Sequence, residues 1–217
     1  MRTDGRVRRA VPEDAAAAAA ALARAAEDEA VVKWITPDPA VRRRRAEEAG
    51  EYFAAWLTAM MSTGEVHLVE AGGAVAGLAL WQYSDAGAGP RVEPAAEAPG
   101  DDADDVLRRV YGDDLPRLLL VNELVGERHP AGVSYWYLAQ IVVVPELRGR
   151  GLGGALLRHQ LERVDEQGTA AYLEASSPRN RVLYERHGFR ALGGPVVLPD
   201  GGPLLQPMWR PRADRGE

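Results

Sequence analysis

The chain has 217 residues, of which 46% are hydrophobic and 27% are charged. This is the composition of an ordinary globular domain with enough apolar residues for a sizeable core. The formal net charge is −6 at pH 7, which argues against a nucleic-acid partner on electrostatic grounds. The chain contains no cysteine, and this excludes disulfides, thiolate metal sites and a cysteine nucleophile together.

The N-terminal segment superficially resembles a signal peptide, because arginines precede the alanine run 15–21. However, Pro12-Glu13-Asp14 stand directly before that run. Proline and acidic residues favour the first turn of a helix and do not introduce a secretory apolar region. No apolar stretch approaches the roughly 18 residues of a membrane span. We therefore predict a cytoplasmic protein that does not interact with membranes.

The N-terminal part is predicted to contain three strands and several helices. The first strand is "GRVRRAV", and a helix follows over about 12–30. A second helical region covers about 39–61. A Gly-Gly turn joins two further strands, "EVHLVEAGG" and "AVAGLALWQYS". Residues 85–105 are predicted to be a loop, and a helical segment broken near 112–116 follows. The apolar face of the second helical region is formed by Ala49, Phe53, Trp56, Leu57 and Met60.

The C-terminal part is predicted to alternate strands and helices. "WYLAQIVVV" is a nearly continuous apolar run, as expected for a strand covered on both faces. A helix follows over 152–167, then the strand "AAYLEAS" and a short helix that ends at Gly188. Two strands around an Asp-Gly-Gly turn finish the chain. The apolar side of the 152–167 helix is formed by Leu156, Leu157, Leu161 and Val164.

Four glycines occupy six positions in the stretch 149–154, just after the "IVVV" strand. Glycine weakens regular structure, so either the backbone turns tightly there or something approaches it closely. Gly149, Gly151 and Gly154 match the dinucleotide pattern G-x-G-x-x-G. Residues 145–148 separate these glycines from the strand, and too few residues follow Glu174 for the further βαβ units of a dinucleotide-binding fold. Both observations argue against a dinucleotide-binding site. A P-loop is excluded because no Gly-Lys-Ser/Thr follows.

The segment "RGRGLG", residues 148–153, resembles the R/Q-x-x-G-x-G/A loop of the GCN5-related N-acetyltransferases. "VRRAVPEDA" resembles that family's first strand and helix, "IVVVPELRGRGLGGALL" its fourth strand and phosphate loop, and "YLEAS" with "PRNRVLYERHGF" its fifth strand and next helix. The resemblance implies an α/β fold. It has a twisted, mixed but mostly antiparallel sheet of about six or seven strands flanked by helices, in which strands 4 and 5 splay apart.

The loop would bind the pyrophosphate of acetyl-CoA, because backbone N–H groups and the positive end of the dipole converge at a helix N-terminus. A backbone N–H near Val142 or Val143 would polarise the acetyl carbonyl; the alternative is an ordinary strand ladder. Asn180 would bind a pantetheine amide; the alternative is a helix N-cap. The predicted cofactor-binding residues are Ile141, Val142, Val143, Arg148, Gly149, Arg150, Gly151, Leu152, Gly153, Gly154 and Asn180.

Without cysteine, no cysteinyl thioester can form, so the amine must attack acetyl-CoA directly. Tyr184 is predicted to be the general acid, because a phenol with a reference pKa of about 10 can protonate a departing thiolate. The alternative is that its ring only packs in the core. Tyr184 follows Asn180 by one helical turn, in the segment that resembles the family's acid helix.

Glu174 is predicted to be the general base. It resembles in position the glutamate base of ribosomal-protein N-terminal acetyltransferases. The alternative is a structural ion pair with Arg179 or Arg186. In that case the base would be Glu123 or His129, just before the "WYLAQIVVV" strand.

Together these observations predict a single acetyltransferase domain over residues 1–217, with a surface loop at 85–105 and a frayed tail at 211–217. The predicted reaction moves acetyl from acetyl-CoA, without a metal, to the primary amine of a small, antibiotic-like molecule. Alternatives are a ribosomal or protein N-terminal acetyltransferase and a non-catalytic acetyl-CoA-binding sensor. The oligomeric state is left open, with a homodimer as one option.

Overall fold

The structure, a computed structural model, describes residues 5–86 and 103–213. In chain order its elements are β1 (Arg6–Arg9), α1 (Ala15–Ala26), α2 (Ala30–Ile35), α3 (Pro39–Glu48), α4 (Gly50–Thr63), β2 (Glu65–Ala71), β3 (Ala74–Ser84), α5 (Ala103–Tyr111), α6 (Leu115–Gly126), β4 (Tyr135–Val143), α7 (Leu152–Glu166), β5 (Ala170–Ala175), α8 (Pro178–Glu185), β6 (Arg190–Ala191), β7 (Val196–Val197) and β8 (Leu204–Arg210). In these two ranges no helix combines the length and apolar character needed to cross a membrane.

The strands form one open sheet in the order β1-β2-β3-β4-β5-β8-β6, and β7 pairs with β8 beside this path. Among the strand pairs of the described residues, β4 and β5 run parallel and the others are antiparallel. This confirms the predicted mixed, mostly antiparallel α/β fold. The two-residue strand β6 was not predicted, because it has too few residues to show an alternating pattern and is defined only by its pairing with β8.

The first predicted helix ends early and is followed by a short helix that was not predicted, α2, and the second predicted helical region is divided. The helix predicted over 12–30 ends at Ala26, and α2 starts afresh after Glu29, whose carboxylate accepts hydrogen bonds from the N–H groups of Val31 and Val32. The region predicted over 39–61 is broken at Ala49, which has a non-helical backbone. The predicted apolar positions all lie at or after Ala49, and α3 has no buried residue, so the apolar pattern defined α4 and did not show where α3 ends.

The side chain of Arg45 joins α3 to the α5–α6 segment. Its guanidinium donates to the carbonyl oxygens of Val110 and Tyr111 and pairs with Asp114 at 2.7 Å. These partners lie where the α5–α6 segment breaks, at the position the sequence predicted. The helix before the break in the second helical region is therefore held by residues more than sixty positions away in the chain.

The predicted loop and tail are only partly within the described residues. Asp85 and Ala86 lie outside any strand, and α5 begins at Ala103, slightly before the predicted end of the loop. Residues 87–102 and 214–217 lie outside the described ranges, while residues 211–213 form no regular element.

Helices cover both faces of the sheet. Helices α7 and α8 cover one face, and the predicted apolar side of α7 is buried there: Leu156, Leu157, Leu161 and Val164. Helices α1 and α4 cover the other face, where Leu57 and Met60 of α4 are buried. The predicted interior sides of both helices are thereby confirmed. We refer to these as the α7 face and the α1 face.

Strands β4 and β5 separate shortly after they pair. Their register ends at Tyr137 opposite Tyr172, although β4 continues to Val143 and β5 to Ala175. A register shift at Ala139 adds a bulge to β4 against β3. From Tyr135 to Leu138 the residues of β4 are buried, whereas beyond Ala139 they are partly or fully exposed. The predicted splay is confirmed, and it opens a gap that is continuous with the start of α7.

Candidate active site

The edge of β4 presents backbone groups to this gap. The N–H of Val144 donates to Ala76 of the β3 side at 2.9 Å. Because N–H directions alternate in an antiparallel pair, the N–H of Val142, opposite Leu78, also faces β3. The N–H groups of Ile141 and Val143 consequently face the gap. Of the two amides predicted to polarise an acetyl carbonyl, Val142 lies in the ladder and Val143 is available.

The glycine loop turns into α7 with left-handed backbone angles. Gly149 has φ of 79° and Gly151 has φ of 86°, which other residues adopt only with strain. Gly151 caps α7 without any side-chain hydrogen bond, and the first intrahelical bond runs from Ala155 N–H to its carbonyl at 3.0 Å. The N–H groups of residues 152–154 therefore have no intrahelical partner. Because a Cβ built on Gly151 would have nothing within 4 Å, the loop has both the donors and the space for an anion.

Arg148, a predicted cofactor ligand, has its side chain committed elsewhere. Its guanidinium donates to Val143 O at 3.0 Å and Ala25 O at 3.1 Å, and it pairs with the carboxylate of Asp28. These contacts brace the loop between the end of β4 and the end of α1. Any contact of Arg148 with a ligand would therefore come from its backbone. Arg150, the other arginine of the loop, is exposed.

Asn180 is the third residue of α8 and does not cap it. Ser177 is the N-cap, and its hydroxyl accepts the Asn180 N–H at 3.2 Å. The alternative of Asn180 as an N-cap is therefore wrong. Its side-chain NH₂ reaches the Ser176 hydroxyl at 3.4 Å, while its amide oxygen has no partner among residues 5–86 and 103–213.

Tyr184 lies in the core of the α7 face. It is 4% exposed, and its ring packs edge-on against Phe189 at 6.0 Å between centroids. Burial raises the pKa of Tyr184 above its ordinary value, so the hydroxyl stays protonated at neutral pH. A core ring and a proton donor are thus compatible roles for this one side chain.

Glu174 is almost fully enclosed on the opposite, α1 face. Its side chain is 7% exposed, and its Oε1 lies 3.6 Å from Nε2 of His129, itself 4% exposed. Its Oε2 accepts a hydrogen bond of 3.0 Å from the hydroxyl of Tyr137. Neither Arg179 nor Arg186 pairs with it in the part of the chain that the structure describes. The alternative of a structural arginine ion pair is therefore wrong.

This environment shifts two titrating groups in ways that suit proton transfer. Burial raises the pKa of Glu174 to about 7, against the opposing effect of the hydroxyls of Tyr172 and Tyr137. Burial also lowers the pKa of His129 to about 4. At neutral pH the histidine is neutral, and the carboxyl group is poised between its two protonation states.

The two locations considered for the base are one site in the structure. His129 lies against the rings of Tyr137 and Tyr172, with centroid distances of 4.5 and 4.8 Å, and its Nδ1 is 3.0 Å from the Tyr135 hydroxyl. The segment before β4 thus encloses Glu174. Glu123, the other rival, is exposed on α6 and makes no contact with this cluster among the residues described.

Sequence reasoning missed the tyrosines of this cluster, although their signal was present. Tyr135 and Tyr137 alternate along β4, and Tyr172 and Glu174 alternate along β5. Side chains two residues apart share one face of a sheet. A paired alignment of the two strands would have put all four on the face opposite Trp136 and Leu173.

The candidate acid and base therefore approach the gap from opposite faces of the sheet. Tyr184 belongs to the cluster that includes Leu173 and Ala175 on the α7 face. Glu174 lies between these two residues in β5, so its side chain points to the α1 face. Because β4 and β5 are unpaired beyond Tyr137, the backbone does not separate the two faces of the sheet at the gap.

Comparison with known proteins agrees with this geometry. Residues 117–191 match the acetyltransferase (GNAT) domain family, a span that runs from α6 through the gap and the glycine loop to β6. The fold is that of the GCN5-related N-acetyltransferases. A structure from Corynebacterium glutamicum, described as histone acetyltransferase HPA2 and related acetyltransferase, is 26% identical, with a TM-score of 0.66 over 98% of this chain and 99% of that one.

More distant structures share the fold alone. An agmatine N-acetyltransferase is 18% identical, with a TM-score of 0.58 over 95% of this chain and 98% of that one. The ribosomal-protein-S18-alanine N-acetyltransferase of Escherichia coli is 18% identical, with a TM-score of 0.51 over 98% and 97%. The matched domain and the fold support acetyl transfer as the general activity, with acetyl-CoA as the donor that this fold family uses.

Proposed function

We propose that this protein is an N-acetyltransferase that moves acetyl from acetyl-CoA to the primary amine of a small molecule by direct attack. The observation that carries the proposal is the parting of β4 from β5 after Tyr137. It leaves a strand edge beside a helix start that no side chain caps. An extended thioester with a diphosphate at its far end fits both features.

Each part of the donor would have its own protein partner. The N–H groups at the start of α7 would hold the pyrophosphate. The N–H groups of Ile141 and Val143 would bind the pantetheine and the acetyl carbonyl in the gap. The free amide oxygen of Asn180 is suited to accept a hydrogen bond from a pantetheine N–H.

Proton transfer would follow from the two enclosed groups. Glu174 would hold the incoming ammonium and accept its proton, directly or through a water molecule. A base with a pKa near the operating pH is the most effective compromise between being ionised and binding a proton. Tyr184, kept protonated by burial, would deliver a proton to the departing thiolate from the other face.

The acceptor is proposed from a more specific resemblance. The segments "ERHP", "WYLAQIVVVPELRGRGLGGALL", "YLEASSPRN" and "YERHGF" resemble puromycin N-acetyltransferase and occur in the same order, and Glu123 keeps its spacing to His129. The "ERHP" segment supplies the histidine that contacts Glu174. An aminonucleoside-like antibiotic amine is accordingly the proposed acceptor class.

An acceptor screen with acetyl-CoA tests this proposal. We expect release of free CoA with small primary amines, aminonucleosides among them, and no release with their dimethylated analogues, which have no N–H to lose. Acetylation of peptides with a free N-terminus, and of no small amine, would instead establish a protein N-terminal acetyltransferase. Acetyl-CoA binding with no acceptor of either kind would indicate a sensor and contradict the proposed enzyme.

Gly151→Val tests the phosphate loop. The added side chain would enter the space in front of the free N–H groups, so we expect the Kd for acetyl-CoA to rise at least tenfold, about 1.4 kcal/mol. Gly73→Val is the matched control, because Gly73 also has a left-handed φ, 79°, and open space around it. Thermal unfolding should show a comparable loss of stability in both variants. Calorimetric titration with acetyl-CoA should show weaker binding only in Gly151→Val. Equal affinities would contradict the role of the loop.

Tyr184→Phe tests the general acid. The ring and its packing remain, so we expect acetyl-CoA affinity to stay near wild type while kcat falls by roughly 10²–10⁴-fold. Phe189→Leu disturbs the same ring contact without removing a hydroxyl. It should lower the Tm and change kcat much less. Full activity of Tyr184→Phe at neutral pH would leave Tyr184 with a packing role only.

Glu174→Gln tests the base with two independent readouts. We expect kcat/KM for the amine to fall by roughly 10²-fold and the acidic limb of the pH–rate profile, centred near 7, to flatten. The carboxyl pKa is raised from 4.5 to about 7 on folding, so its contribution to stability is lost as the pH rises through that window. The variant should therefore have a higher Tm than the wild type at about pH 8, with the difference vanishing near pH 4.

Glu185→Gln is the control for both measurements, because Glu185 is half-exposed in a pair with Arg181 on α8. It should change neither the activity nor the pH dependence of the Tm. Normal turnover by Glu174→Gln, together with a crippled His129→Ala, would transfer the base role to His129.

A further inference from the structure

The two carboxylate oxygens of Glu174 have different surroundings. Oε2 accepts the hydrogen bond of 3.0 Å from the hydroxyl of Tyr137. Oε1 is buried and has no hydrogen-bond partner among the described residues. It lies 3.6 Å from Nε2 of His129, which is likewise buried without a partner in that part of the chain. The protein therefore holds one oxygen and leaves the lone pairs of the other free.

The hydroxyl of Tyr172 is a second donor on the same face of the sheet. Tyr172 and Glu174 are two residues apart in β5, so their side chains point the same way. The Tyr172 hydroxyl donates to the carbonyl oxygen of Arg128 at 3.2 Å, and its hydrogen bonding also lowers the pKa of Glu174. A phenol has one proton, which can rotate between two acceptors. That proton is thus available to Glu174 when the carboxyl group is ionised.

The titratable groups that face Glu174, within the described ranges, are phenols and one imidazole. They are Tyr135 and Tyr137 of β4, Tyr172 of β5, His129 of the segment before β4 and, from the other face of the sheet, Tyr184 of α8. Strand β8 presents Pro207 opposite Glu174, and the exposed guanidinium of Arg128 acts on Tyr172. Burial raises the pKa of the four tyrosines and lowers that of His129 to about 4. These five groups are neutral at pH 7, so hydroxyl donors are what they offer to a negative charge.

A hydrogen bond donated to a carboxylate stabilises the ionised form and fixes the orientation of the group. The hydroxyls of Tyr172 and Tyr137 accordingly oppose the effect of burial on Glu174. Because Tyr137 donates to Oε2, the orientation that it fixes keeps Oε1 on the side of His129. The oxygen with free lone pairs is the one able to receive a proton.

We propose that Tyr137 and Tyr172 are positioning residues for the base: they hold ionised Glu174 by hydrogen bonds and leave Oε1 to receive the proton of the amine. The inference rests on the proposed function, since it takes Glu174 as the base. As the amine nitrogen bonds to the acetyl carbon, its N–H bond breaks, the electron pair stays on nitrogen and the proton moves to Oε1, directly or through water. Glu174 is then neutral, and the Tyr172 hydroxyl donates to the carbonyl oxygen of Arg128.

The pH–rate profiles of Tyr137→Phe and Tyr172→Phe test the proposal. Each variant keeps its ring and loses one donor to the carboxylate, so the pKa of Glu174 should rise. Because activity requires the ionised base, the acidic limb of kcat/KM should move to higher pH by about one unit. Above that limb kcat/KM should return close to the wild-type value, and the double variant should shift further. A merely structural role would lower kcat/KM at every pH and leave the limb in place.

Tyr135→Phe is the matched control. Tyr135 is fully buried on the same face of β4, but its hydroxyl lies 3.0 Å from Nδ1 of His129 and makes no hydrogen bond to Glu174 within the described residues. The acidic limb should keep its wild-type midpoint in this variant. An equal shift in Tyr135→Phe would overturn the inference, because any phenol of the cluster would then have the same effect.

Thermal unfolding gives a second readout that does not require catalysis. At about pH 8 the replacement Glu174→Gln should raise the Tm. This gain should be larger in the Tyr137→Phe background, where the ionised carboxylate has lost a donor, and unchanged in the Tyr135→Phe background. Equal gains in all backgrounds, or an unmoved limb in Tyr137→Phe and Tyr172→Phe, would overturn this inference alone. An acidic limb that survives in Glu174→Gln would instead contradict Glu174 as the base of the proposed function.

Discussion

The loss of pairing between β4 and β5 beyond Tyr137 is the constraint on which the candidate site depends. Backbone N–H and C=O groups that leave a ladder must find other partners, because an unpaired buried polar group is costly. Here the bulge at Ala139 turns β4 away, and Arg148 satisfies the carbonyl of Val143. The N–H groups that remain face the gap between the two strands.

The same gap separates the two groups proposed to move protons. Tyr184 is held on the α7 face by aliphatic side chains and Phe189, and Glu174 is held on the α1 face by tyrosines and His129. Burying a carboxyl group is unfavourable for folding. The raised pKa of Glu174 is the direct expression of that cost, and it also brings the group into the range that a general base needs.

Prediction from sequence succeeded where short-range patterns dictate structure and failed where distant residues decide it. The interior side of α7 and the Gly-Gly turn between β2 and β3 were predicted, since spacing and backbone preferences encode them locally. The break at Ala49 was missed because Arg45 is held by residues of the α5–α6 segment. Asn180 was left as either a ligand or a cap, and only the position of Ser177 shows that it does not cap α8.

By itself the sequence determined the glycine loop, the start of α7 and the family resemblance, because these depend on which backbone angles and helix ends consecutive residues allow. Only the tertiary structure decided that His129 and Glu174 form one cluster and that Arg148 braces the loop. Each of these depends on which side chains become neighbours when separate elements pack. That information lies in the strand order and helix packing, and the spacing of residues along the chain does not contain it.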